Sequence, residues 1–75
     1  MIEWRRESDG YALLKRGSRY HVVELIGDRV ASAMPSESWI VPRDALPEQP
    51  VRWYGRSYAW ERFHELARLR RYRQR

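Results

Sequence analysis

Apolar side chains recur at every second position over residues 1–34 and at helical spacing over residues 57–75. A period of two argues for strands and a period near 3.6 for a helix. Ile2, Trp4 and Arg6 alternate with Glu3 and Arg5 in the first candidate strand. Ser8-Asp9-Gly10 follows, and Asp-Gly is a hairpin signal. In the next stretch, Tyr11 and Leu13 share one face, with Ala12 and Leu14 on the other. Arg16-Gly17-Ser18 marks a second turn, and Tyr20-His21-Val22-Val23-Glu24-Leu25 is rich in aromatic and β-branched types that favour strands. Ile26-Gly27-Asp28 turns again, and Arg29–Met34 completes the pattern as a fourth strand. Closely spaced turns between short strands predict an antiparallel meander.

Residues 35–52 break both periods. All four prolines, Pro35, Pro42, Pro47 and Pro50, lie here. Proline lacks the amide donor, so the segment is neither a central strand nor a long helix. Trp39-Ile40-Val41 within it suits a short edge strand or a plug against the core, and Pro42–Leu46 one helical turn. The segment is therefore expected to be an ordered connection.

Over 57–75 the spacing predicts one helix, with Ser57 as its N-cap. Ala59, Trp60, Phe63, Leu66 and Ala67 fall on one stripe, and the packed part is expected to end near Leu69. Glu61 and Glu65 come early and the arginines late, which suits the helix dipole. The expected fold class is α+β: one domain over 1–75, a small meander of three to four antiparallel strands, and a C-terminal helix on one face. Trp60, Phe63 and Leu66 are expected to meet Leu13, Val22 and Leu25.

Composition sharpens this picture at two points. The chain has 75 residues and no cysteine, so its core is small and disulfides and thiolate chemistry are excluded. Charge is unevenly placed. Residues 52–75 hold eight arginines and two acids, a net of +6, whereas residues 1–51 hold seven basic and eight acidic side chains, a net of −1. Such a segment points to an anionic partner.

The candidate contact residues are Arg52, Trp53, Tyr54 and Arg56 before the helix, and Arg68, Arg70, Arg71, Arg73 and Arg75 on it. Guanidinium forks grip carboxylates or phosphates, and exposed tryptophan and tyrosine anchor protein interfaces or stack on bases. Trp53 and Tyr54 also suit a core short of aliphatics. Replacing Arg70, Arg71 and Arg73 with alanine is expected to leave folding intact and weaken binding. His21 and His64 stand apart, with no cysteine and no ligand spacing, so neither a metal site nor a cofactor is expected. The serines and carboxylates form no catalytic motif, and the glycines have no phosphate-loop spacing, so an enzyme is not expected. No apolar run reaches the ~20 residues of a membrane span, and a cytoplasmic location is the default expectation.

The N-terminal tryptophan strand, the glycine-punctuated meander through Tyr20–Leu25 and the closing helix at Trp60-Glu61-Arg62-Phe63-His64-Glu65-Leu66-Ala67 together resemble small phage or mobile-element proteins, among them anti-CRISPR inhibitors. The resemblance implies a non-enzymatic factor that binds a host protein or ribonucleoprotein, and it carries over no site residues. Many such inhibitors present acidic, DNA-like surfaces, whereas this chain is basic. Two function classes follow. One is an inhibitor or accessory factor whose arginines meet an acidic protein surface or a ribonucleoprotein. The other is a nucleic-acid-binding module that sets its arginine helix on phosphates.

Overall fold

The structure, a computed structural model, describes residues 2–46 and 52–73. Five strands form one antiparallel sheet in chain order: β1 (Glu3–Ser8), β2 (Tyr11–Arg16), β3 (Arg19–Ile26), β4 (Arg29–Ser32) and β5 (Ile40–Pro42). One helix, α1 (Arg56–Arg73), follows. The meander and its closing helix are those expected from the sequence, with one strand more. The added strand is β5, inside the proline-rich connection. It lies on the sheet edge and pairs only with β4, so Pro42 breaks no ladder on its outer side.

Two-residue loops set the first three hairpins. Asp9 and Gly10 both have positive φ, 52° and 84°, as a type I′ turn requires. Gly17 and Gly27 have φ of 61° and 60° and are followed by residues with negative φ, the pattern of type II′ turns. These turns match the twist of the strands and fix their register. β1 departs from regular pairing: Trp4 faces Leu14 but Arg6 faces Leu13, so Arg5 is the extra residue of a bulge. Trp4 and Arg6 therefore lie on opposite faces, contrary to the simple alternation expected.

Each face of the sheet is covered. On one, Leu13, Tyr20, Val22 and Met34 pack with Ala59 and Phe63 of α1. Ala59, Phe63 and Ala67 recur every fourth residue and are buried, and the two alanines let the helix approach the sheet closely. On the other face, Ala12, Leu14, Val23 and Val30 are covered by Trp39, Leu46 and Trp53 from the connection. Leu25 packs there rather than under the helix, because it shares the parity of Val23 and not that of Val22. Pro42–Leu46 makes a single turn, closed by the Ala45 amide on the Pro42 carbonyl at 3.0 Å, and not a helix. The part of the connection at 47–51 lies outside the described residues.

His21 joins the connection to the sheet. It is fully buried. Its Nδ1–H donates to the Arg52 carbonyl at 2.7 Å, and its Nε2 accepts from the Ser32 hydroxyl at 2.9 Å. A carbonyl only accepts, which fixes the tautomer. Ser32 Oγ in turn accepts from the Met34 amide at 3.2 Å. Trp39 stacks on the imidazole at 5.4 Å and Trp53 meets it edge-on at 5.9 Å. Burial holds its pKa below the ordinary 6.5, against the opposing pull of the Arg52 carbonyl and Glu37.

The helix begins at Arg56, where the Gly55 carbonyl accepts from the Ala59 amide at 3.1 Å. Gly55 is thus the N-cap and Ser57 lies in the first turn. Arg62 ties the helix to the end of β4 through the Ala33 carbonyl, 2.8 Å from Nε. No helix among the described residues is long and apolar enough to cross a membrane.

Candidate binding surface

The C-terminal half of α1 runs beside the hairpin of β1 and β2, and two arginines latch it there. The Arg70 guanidinium lies over the Tyr11 ring, 4.4 Å from its centroid, and pairs with Glu24. It also donates to the Tyr11 hydroxyl at 3.1 Å. Gly10 makes room for it, since a Cβ there would stand 2.4 Å from Arg70 Nη1. Arg71 donates from Nε and Nη2 to Asp9 Oδ2, at 3.1 and 2.7 Å. These bonds, with one from Ser8, hold the Asp9 carboxyl below its ordinary range.

The last buried residue of the helix is Ala67, and half-buried Arg70 carries its contact with the sheet one step past the expected limit near Leu69, which is itself exposed. The equal role expected for the tail arginines divides in two. Arg70 and Arg71 have partners within the chain, so their removal is expected to cost stability. Arg68 and Arg73 are exposed and make no hydrogen bond or ion pair among the described residues. Arg75 lies outside the described residues.

The four residues before the helix are partly structural. Arg52 is exposed, but its amide donates to Glu37 at 3.0 Å and its carbonyl receives His21. Trp53 is half-buried beneath the sheet, against Val23 and its neighbours. Tyr54 exchanges two backbone hydrogen bonds with Tyr20, both 2.8 Å, and its hydroxyl meets Ser36 Oγ at 2.9 Å. Both rings are half-buried, which limits their use for base stacking. Arg56 is exposed, with its guanidinium 5.9 Å from the Trp60 ring.

Between β1 and the helix lies an open groove of about 860 Å³. Its strand side is Arg5, Arg6, Glu7 and Ser8, and its helix side is His64, Arg68 and Arg71, with Phe63 and Ala67 at the base. Arg6 sits 4.9 Å above the Trp60 ring. Arg5 reaches Glu3 only at 3.5 Å between two half-exposed side chains, an interaction worth little in water. Glu7 is taken by Arg43 at 2.9 Å. With Arg71 neutralised by Asp9, the groove keeps the positive charge of Arg5, Arg6 and Arg68.

The candidate residues chosen from the C-terminal segment missed Arg5 and Arg6. The adjacent pair of arginines between Trp4 and Glu7 was the available signal, because two like residues in succession interrupt strand alternation where the bulge falls. Among the described residues, no three histidine or carboxylate side chains are placed to hold a metal. No protein-family model, curated protein or solved structure matches the chain.

Proposed function

We propose that the chain is a small non-catalytic binding protein that docks an acidic protein surface, or the protein part of a ribonucleoprotein, on the basic groove and outer arginines of α1. The observation that carries this reading is the grouping of Arg6 and Arg68 across an open groove, without acidic partners among the described residues. Guanidinium groups already held near aromatic and apolar surface lose little freedom on meeting a carboxylate. Half-burial of Trp53 and Tyr54 favours a protein over nucleic acid, since it leaves these two rings less open to a base. In this reading the protein acts as an inhibitor or accessory factor of phage or mobile-element type, working by occupancy rather than by chemistry.

One observation favours nucleic acid instead. Tyr72 is 77% exposed beside Arg68 and Arg73, where it is open to stacking on a base. The two readings separate in one titration of the chain against an acidic polypeptide and against single-stranded, duplex and RNA oligonucleotides, at two salt concentrations. Tighter binding of the polypeptide supports the proposal. Binding of oligonucleotides alone, with a log–log salt slope steeper than about −2, would replace it.

A further inference from the structure

The groove has one wall that is not side chain. β1 is an edge strand paired only with β2, so backbone N–H and C=O groups face outward on either side of the bulge at Arg5. Residues Glu3–Glu7 are all exposed. The other edge, β5, is three residues long and ends in Pro42, which has no donor to offer. A smaller hollow, of 240 Å³, lies along β1 and is lined by Trp4, Arg5, Arg6, Glu7 and Arg43. Trp4 is 40% exposed, with the Arg43 guanidinium 5.1 Å from the centre of its ring. Concave space thus borders the same open strand edge on the helix side and on the Trp4 side.

We infer that the β1 edge accepts an extra strand from an acidic partner, an inference that rests on the binding reading above. Side chains of an added strand point alternately to the two faces. Those on the helix side fall between Arg6 and Arg68 and are acidic. Those on the other side fall against Trp4 and are apolar. The ligand is therefore an extended segment in which glutamate or aspartate alternates with apolar residues. A second copy of this chain fits less well, because it would bring an equally basic groove against this one.

The test follows backbone amides of the full chain by NMR during titration with a ten-residue peptide of alternating glutamate and valine. Two further peptides carry N-methyl groups on one or the other alternate set of amides. Methylation preserves charge but blocks pairing on one side only. Strand addition predicts the largest shifts at Glu3–Glu7 and at His64 and Arg68. It predicts at least a tenfold loss for one methylated peptide, little loss for the other, and a tenfold loss for Arg68→Glu with the parent peptide. Equal binding of all three peptides would overturn strand addition while leaving the acidic-partner reading intact. No peptide binding, with oligonucleotides bound, would overturn both. A dimer joined through β1 in the absence of peptide would assign the edge to a second copy and overturn the inference.

Discussion

Replacing His21 with phenylalanine isolates the clamp between sheet and connection. The phenyl ring keeps most of the contact with Trp39 and Trp53. It leaves the Arg52 carbonyl without its donor and Ser32 without its acceptor. A buried polar group stripped of its partner costs about 1–3 kcal/mol, and these two, being part-buried, belong at the low end. One core of this size supplies roughly 3–5 kcal/mol in all. Each kcal/mol moves the midpoint of a domain this small by about 4–8 °C. His21→Phe should therefore lower Tm by at least ~4 °C. His21→Ala adds a cavity worth about 2–5 kcal/mol and should leave little folded protein at 25 °C.

The sign of the pH dependence follows from burial. The folded imidazole has a pKa below the ordinary 6.5, so the unfolded chain takes up the proton first. Stability is complete above that value and falls as pH drops below it, by at most about 1.4 kcal/mol per pH unit, until the folded protein also protonates. His21→Phe should abolish this fall. Thermal melts by circular dichroism from pH 7.5 to 5 read both effects. A variant that melts with the wild type and keeps the acid dependence would refute the clamp.

Arg70 and Gly10 should be coupled. Gly10→Ala should destabilise through its φ of 84° and its clash with Arg70, and in an Arg70→Ala background only the backbone part, about 1–2 kcal/mol, should remain. Equal effects in both backgrounds, in a double-mutant cycle of denaturant melts, would contradict the close approach. The Arg71–Asp9 latch is exposed on the arginine side, so Arg71→Ala should cost little stability, and less still at high salt. Asp9 has a lowered pKa, so its contribution is present above the ordinary 3.8 and is lost as pH falls through and below that value; Arg71→Ala should flatten this limb of the acid melt. Phe63→Ala should cost about 3–5 kcal/mol and Trp60→Ala clearly less, because Phe63 is buried while Trp60 is half-covered by Arg6 and Arg56.

The hairpins were legible because each loop is two residues long and contains a glycine at the position needing positive φ. The side-chain alternation of β2 was equally plain. β5 was harder to read. Three residues with a proline carry no periodicity, and an edge strand needs donors on one side only. The bulge at Arg5 hid which face Arg6 takes, and with it half of the groove. Charge counting marked the tail arginines but not their fates, since Asp9 and Glu24, which hold Arg71 and Arg70, lie far upstream. Nothing in the run Tyr20–Leu25 distinguished His21 from a surface residue. Its role exists only once the chain returns to place the Arg52 carbonyl over it.

The central claim is that the groove guanidinium groups with no ion pair among the described residues, Arg6 and Arg68, and not the latching ones, bind an acidic protein. The most direct measurement is the affinity of an acidic polypeptide for the Arg6→Glu/Arg68→Glu chain and for the wild type at one salt concentration, with Tm determined for both. The account predicts a loss of at least tenfold in affinity with a small change in Tm. Undiminished affinity in a folded double variant would contradict it.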